Sequence, residues 1–129
     1  MGLFQRLTMT SFRTVVEAPD GMSKVNVYTY DGRPLKKVRV GEKFRVTLMV
    51  GEHKMKSVYT GTTANGNVAI SYNGKPIGFL STSKNANLLV SVRDRVGPLS
   101  LVAERTGTGK GGWPEIVVTF DRKWMLANK

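Results

Sequence analysis

The residues of this chain that could do catalytic chemistry are few and scattered. The only histidine, His53, lies in the polar segment Gly-Glu-His-Lys-Met-Lys with no acidic partner nearby in sequence. The chain has no cysteine, so disulfides, thiolate nucleophiles and thiolate zinc sites are excluded. Its acidic residues stand singly, and none has the spacing of a metal site or of an acid–base pair. We therefore expect no enzyme activity, no metal and no cofactor.

A glycine-rich segment, Gly-Thr-Gly-Lys-Gly-Gly at 107–112, superficially resembles a phosphate-binding loop. A Walker A loop needs Ser or Thr directly after its lysine and then a helix. Here Lys110 is followed by Gly111, and Trp113-Pro114 and a strand pattern come next. The segment therefore predicts no nucleotide hydrolysis. Two interpretations remain, a plain linker or a basic loop whose Trp113 and Lys110 approach a nucleic-acid backbone.

Positive charge is the strongest global property of the sequence. Twenty Lys and Arg against nine Asp and Glu give a net charge of +11. Such an excess attracts polyanions, nucleic acid above all, at long range. Between positions 33 and 56 the basic residues are Arg33, Lys36, Lys37, Arg39, Lys43, Arg45, Lys54 and Lys56. This set predicts either a phosphate-binding stripe or simply a solvated protein wall.

Aromatic residues near predicted turns supply the second feature of a nucleic-acid site. They are Tyr28, Tyr30, Tyr72, Phe79 and Trp113. Rings beside a basic groove stack the bases of a single strand. Trp113, between Gly and Pro, is expected to be the most available ring. Tyr72 and Phe79 could instead pack inside the barrel, and for Phe79 this alternative has equal weight.

Short alternating segments are expected to position these residues. The 129 residues predict one domain, with a barrel over about 12–121 and loosely ordered termini. Alternating or apolar runs predict strands at 12–21, 24–32, 43–50, 54–60, 67–72, 75–80, 99–104 and 115–121. Asn73-Gly74 predicts a two-residue hairpin turn, and one helix of about ten residues follows Ser81, Thr82 and Ser83. The expected fold is mainly β, a small SH3/OB-like barrel of about seven strands with one short helix.

The segment 66–92 resembles the HIRAN domain family. The matching residues are Ala69-Ile70, then Asn73-Gly74, then Ile77-Gly78-Phe79-Leu80, followed by a helix through Ala86 and Leu89. More loosely, VNVYTY, GEKFRVTLMV and PEIVVTF resemble core strands of that family, so that the likeness extends over about 24–121.

The resemblance implies a small barrel that captures single-stranded DNA by aromatic stacking and phosphate contacts. It would place Tyr28 near the family's stacking tyrosine, Phe79 after Ile-Gly, Ser81 and Thr82 at the helix entrance, and Trp113 in the last loop. The family's Asn-Pro-x-Asp-like element is missing, because this chain reads TGTTANGN before Val68-Ala69. The resemblance therefore supports binding along a single strand of nucleic acid more than capture of the end of that strand.

From these features we expect a non-catalytic, cytoplasmic module that binds nucleic acid, with single-stranded DNA favoured. The expected contact residues are Tyr28, Lys36, Lys37, Lys43, Arg45, Lys54, Lys56, Phe79, Ser81, Thr82, Lys110 and Trp113. A protein-interaction barrel that docks an acidic partner is the alternative. Attachment to an anionic membrane through residues 1–12 is a third possibility, and no apolar run is long enough to span a bilayer.

Overall fold

The structure, a computed structural model, describes residues 14–129 and is dominated by one closed barrel. Six antiparallel strands form it in the order β8-β3-β6-β7-β2-β9, and β9 returns to pair with β8. Their bounds are β2 Ser23–Thr29, β3 Lys43–Leu48, β6 Ala69–Tyr72, β7 Lys75–Leu80, β8 Leu99–Thr108 and β9 Pro114–Phe120. A short strand, β1 (Val16–Glu17), pairs in parallel with the start of β8. The prediction of a small, mainly β barrel is confirmed.

The barrel interior is filled by the apolar residues that alternate along these strands. Val25 and Val27 of β2 and Val46 and Leu48 of β3 are buried, while the residues between them face outwards. Alternation of this kind places every second side chain on the core face of a strand. The predicted hairpin between β6 and β7 is also present, with positive φ at both Asn73 (50°) and Gly74 (79°), as a type I′ turn requires.

A second, smaller cluster lies under a separate two-stranded hairpin, β4 (His53–Lys56) and β5 (Thr63–Gly66). Met55 of this hairpin packs with Ala69 and Phe79 of the barrel strands. The Phe79 side chain is only 6% exposed. The hairpin therefore covers one side of the barrel, and its burial of Phe79 helps to hold the hairpin in place.

Within residues 14–129, two α-helices and two short 3-10 helices, Arg33–Leu35 and Lys110–Gly112, complete the fold. Helix α1 (Lys84–Val96) begins at Ser83, whose Oγ accepts a hydrogen bond from the Ala86 N–H at 3.0 Å. Helix α2 (Arg122–Asn128) begins at Asp121 and buries Met125 against the core. One short helix and a partly ordered tail were expected, so α2 is a difference from the sequence prediction. None of the helices between residues 14 and 129 is long and apolar enough to cross a membrane.

Residues 1–13 are outside the described part of the chain. The N-terminal segment that was expected to be loosely ordered and the membrane attachment proposed for residues 1–12 fall there. Strand β5 was not predicted at all, and the expected strand at 54–60 is shorter in the structure, ending at Lys56. Of the strand expected at 12–21, the described residues contain only Val16–Glu17. The other predicted strands are present with bounds shifted by a few residues.

Candidate functional site

A groove of about 550 Å³ lies on the outside of the barrel, beside β2 and β9. Four of its lining residues are aromatic: Tyr28, Tyr30, Tyr59 and Trp113. Five more are Ser or Thr, and the others include Asn26 and Glu115. We call this site the aromatic groove. Its size lies within the range of about 300–1,000 Å³ that is usual for ligand sites.

The floor of the aromatic groove is set by the register between β2 and β9. Asn26 pairs with Val117 at the end of this antiparallel ladder, and beyond it the Thr29 hydroxyl donates to the Pro114 carbonyl at 3.1 Å. Tyr28 is 62% exposed. An exposed ring on β2 and a carboxylate on β9 therefore both belong to the groove lining.

One wall of the groove is a pair of rings from two different loops. Tyr59 and Trp113 have ring centroids 5.1 Å apart and an interplanar angle of 32°. The Tyr59 hydroxyl accepts a hydrogen bond from the Gly32 N–H at 2.7 Å. Gly109 lies against the Trp113 ring, where an added Cβ would be 2.5 Å from Cε2. The absence of a side chain at Gly109 thus allows the ring to take its place in the wall.

The turn that carries Tyr59 is held by Ser57. The Ser57 Oγ accepts hydrogen bonds from the N–H groups of Tyr59 and Thr60, each at 3.2 Å. Tyr30 is fixed on the other side by an edge-to-face contact with Phe79, with centroids 5.2 Å apart. These contacts hold the rings in place before any ligand arrives, which lowers the entropic cost of binding.

The electrostatic character of the lining differs from that of the whole chain. Among residues 14–129, no lysine or arginine lines the aromatic groove, and Glu115 is its one charged lining residue. Three basic residues lie close in sequence to its lining residues instead. Lys24 lies on the same strand face as Asn26 and Tyr28, Lys56 precedes Ser57, and Lys110 is in the turn before Trp113. All three are exposed and form no ion pair with any residue of the described part.

The predicted contact residues therefore do not all lie at the aromatic groove. Tyr28 and Trp113 line the groove, but Tyr28 rather than Trp113 is the more exposed ring. Lys56 and Lys110 lie outside the lining but close to it in sequence, and Ser81 and Thr82 also lie outside it. Lys36, Lys37 and Lys54 are exposed and also lie outside it.

Phe79 does not fit its predicted role as a stacking residue. Its ring is buried under the β4–β5 hairpin and contacts Tyr30. A ring covered on its faces by the protein offers no surface to a base, so the structure supports the packing alternative for Phe79. Its pairing with the outward-facing Tyr28 turns this residue outwards, where the β4–β5 hairpin, Tyr30 and Val68 cover it.

Lys43 and Arg45 share the outer wall of the barrel with the groove but are already engaged. Strands β8 and β9 separate them from β2, a distance of about 14 Å at about 4.8 Å per strand. The Lys43 Nζ forms an ion pair with Asp20 at 2.6 Å, and the Arg45 Nη1 donates to the Ala18 carbonyl at 2.7 Å. These contacts reduce what either cation can offer to a phosphate.

Asp20 is the acidic centre of that outer wall. Its carboxylate accepts hydrogen bonds from Lys43 and from the Thr119 hydroxyl. The Lys43 ammonium and then the Thr119 hydroxyl lower the pKa of Asp20 to about 2, while its partial burial opposes this effect. Asp20 is thus ionised under all mild conditions and neutralises part of the predicted basic stripe.

Three important groove residues were missed in the sequence. Tyr59 was assigned to a strand but lies in the turn between β4 and β5, whose signal is the Thr-Gly-Thr that follows it. Asn26 and Glu115 belong to predicted strands at 24–32 and 115–121, but the sequence assigns neither of them a role in the site. Their placement depends on the register of β2 with β9, which local sequence does not specify.

The only histidine, His53, is the remaining candidate for chemistry. His53 lies with Nε2 3.1 Å from the Val50 carbonyl, a contact within its own turn. Across residues 14–129, no group of three or more His, Asp or Glu side chains is arranged to hold a metal ion. The site therefore consists of rings, hydroxyls, an amide and one carboxylate.

Comparison with known proteins identifies no relative. No protein-family model matches the chain, and neither a curated protein nor a solved structure matches it.

Proposed function

We propose that this protein is a non-catalytic module that binds single-stranded nucleic acid, with the bases in the aromatic groove. The observation that carries the proposal is the convergence of four rings in one groove on a chain of net charge +11. Each base stacked on an aromatic ring contributes about 1–3 kcal/mol, with little dependence on its identity. Tyr28, the most exposed of the four, and Trp113 are the rings that we assign to stacking.

The charge distribution supports one orientation of the strand. A phosphate beside Glu115 would be repelled, whereas the bases carry no net charge. We therefore place the bases towards the floor and the phosphates at the margins, near Lys24, Lys56 and Lys110. The overall positive charge draws the strand to the protein, and these marginal lysines take up its backbone.

The preference for DNA over RNA depends on the resemblance to the HIRAN family. That membership stays a prediction, since no family model matches the chain. The groove itself contains nothing that selects against a ribose. Strand binding without end capture is the form of the proposal that the present residues support, because Asn65 and Asn67 are not accompanied by the Pro and Asp of the family's element.

A titration with a fluorescently labelled single strand of about ten nucleotides tests the proposal. Anisotropy should rise to saturation at low salt, and log K should fall with log salt by about 0.7 for each phosphate neutralised. A duplex of the same sequence is the control and should bind more weakly, because its bases are already stacked on one another. An absence of binding at low salt would refute the proposal.

Docking of an acidic protein is the second candidate, and it has an observation of its own. Lys36, Lys37 and Arg39 are exposed and form no ion pair within residues 14–129. Val40 beside them is 60% exposed. Such a patch suits an acidic segment with an apolar side chain. If this candidate is correct, an acidic polypeptide should bind without competing with a single strand for the groove.

A further inference from the structure

We infer that the aromatic groove distinguishes bases by their exocyclic amino group, with the Glu115 carboxylate as the acceptor. The inference depends on the proposed function, because it assumes that bases enter the groove. It adds a selectivity to that function: cytosine and other amino-bearing bases are preferred to uracil and thymine.

The geometry places an acceptor in the same groove as a stacking face. Tyr28 of β2 and Glu115 of β9 both line the groove. The Glu115 Oε1 lies over Gly107 of β8, on the far side of β9 from Tyr28, 3.4 Å from the position that a Cβ would take there. Because Gly107 has no side chain, this oxygen is left uncovered. A base that stacks on Tyr28 and extends across β9 can therefore present its edge to the carboxylate.

The Glu115 carboxylate has no cation to satisfy it in the described part of the chain. The ion pairs there involve Asp20, Asp31 and Asp94. The side chains of Lys24, Lys56 and Lys110 lie outside the groove lining. Glu115 is thus available as an acceptor for a ligand.

The chemistry of the base edges then decides the preference. An ionised carboxylate only accepts hydrogen bonds. Cytosine presents the N4 amino group as a donor at the position where uracil presents the O4 acceptor. A cytosine edge can therefore donate to Glu115, whereas the O4 of uracil faces it with like partial charge. The other polar groups of the lining, the Asn26 amide and the hydroxyls, both donate and accept, so they favour neither base.

Single strands of oligo-dC and oligo-dU provide the matched test. Both are pyrimidines of similar stacking area, and neither carries the thymine methyl group. At pH 7.5 we expect oligo-dC to bind roughly three- to ten-fold more tightly than oligo-dU, a modest ratio because Glu115 is exposed to water. In Glu115→Gln the side-chain amide can also donate, so the ratio should fall close to one, mainly through tighter binding of oligo-dU.

Glu104→Gln is the control variant. Glu104 is paired with Val117 across β8 and β9 and does not line the groove, so the change removes the same charge nearby and should leave the ratio intact. The inference would be overturned if the unchanged protein bound oligo-dC and oligo-dU equally, or if the ratio of their affinities persisted in Glu115→Gln. Either result would leave the proposed function standing. Failure to bind either strand would instead refute the proposed function itself.

Discussion

Tyr28 and Phe79 show how two rings on paired strands acquire opposite roles. They are direct partners in the β2–β7 ladder, yet Tyr28 is 62% exposed and Phe79 is 6% exposed. The difference comes from what covers each ring. The β4–β5 hairpin lies over Phe79, whereas Tyr28 forms the open floor of the aromatic groove.

Alanine should therefore weaken binding at position 28 and lower the stability of the fold at position 79. Tyr28→Ala should weaken single-strand binding by about 1–3 kcal/mol with little change in stability, because a stacking face is removed. Phe79→Ala should lower the free energy of unfolding by about 3–5 kcal/mol, because a buried ring leaves a cavity. Anisotropy titration and urea denaturation measure the two quantities. Tyr28→Phe is the control for the ring, and a reversed pattern would contradict these roles.

The lowered pKa of Asp20 predicts that the stability of the fold depends on pH in the acidic range. Its pKa is lowered from 3.8 to about 2 in the folded protein. A carboxylate of this kind stabilises the fold above its ordinary pKa and loses that contribution as the pH falls towards the folded value. The free energy of unfolding should thus decrease between pH 3.8 and about 2, and this decrease should be smaller in Asp20→Asn. Urea denaturation across that pH range measures the free energy of unfolding of both proteins. An equal decrease with falling pH in the unchanged protein and in Asp20→Asn would contradict this role of Asp20.

At the scale of elements, Arg93 joins α1 to two loops of the barrel. Its side chain is 3% exposed. Its Nη1 donates to the carbonyls of Met49, at 3.0 Å, and Asn67. Its Nε and Nη2 contact the Asp94 carboxylate. One guanidinium therefore holds the helix to the loop after β3 and to the loop before β6.

Arg93→Met should destabilise the fold although it nearly preserves side-chain volume. The two carbonyls are partly buried, so each one left without its donor costs up to about 1–3 kcal/mol. Arg93→Lys should recover only part of the loss, since an ammonium lacks the planar fork that reaches these acceptors together. The control is Arg95→Met, an exposed neighbour whose change should stay within about 0.5 kcal/mol. Thermal or urea denaturation measures all three, and equal losses of stability at positions 93 and 95 would contradict the role of Arg93.

The elements also explain how far the sequence could predict this fold. Asn73-Gly74 between two apolar runs specified the β6–β7 hairpin, because both turn residues tolerate positive φ. Strand β5 carries no such signal, since Thr-Ala-Asn-Gly has low strand propensity and pairs only with β4. Helix α2 had one overlooked signal, Asp121, whose carboxylate accepts hydrogen bonds from the N–H groups of Lys123 and Trp124.

The candidate site was less predictable than the barrel for a physical reason. Tyr28 and Trp113 could be singled out because exposed strand positions and glycine-rich loops leave rings accessible. Tyr59 and Glu115 reach the groove only through a tertiary turn and a strand register. Local residue patterns indicate which side chains face outwards, but they do not determine which outward residues meet.

At the scale of the whole molecule, the positive charge is spread around the barrel rather than concentrated in the groove. This separation makes a prediction with a matched control. The variant with Lys24, Lys56 and Lys110 changed to Gln and the variant with Lys36, Lys37 and Arg39 changed to Gln each lose three positive charges. Long-range attraction is thus reduced about equally in both, and only direct binding of phosphates should distinguish them.

We expect the first variant to lower the slope of log K against log salt by up to about two, at about 0.7 for each phosphate that is no longer neutralised. The second should change the slope much less. The salt dependence of anisotropy titrations measures both slopes. A larger slope change in the second variant would contradict the placement of phosphates at the groove margins. If an acidic protein docks at residues 36–40, the second variant should instead lose more affinity for an acidic polypeptide than the first.

Fluorescence of Trp113 tests the central claim, that bases stack in the aromatic groove, most directly. The chain has two tryptophans, and Trp124→Phe, a conservative change at a partly buried position of α2, leaves Trp113 as the only one. Titration of this variant with an unlabelled single strand at low salt should quench the Trp113 emission to saturation, with the midpoint that anisotropy gives. Binding by anisotropy without any change in Trp113 emission would show that the strand lies elsewhere on the molecule and would contradict the claim.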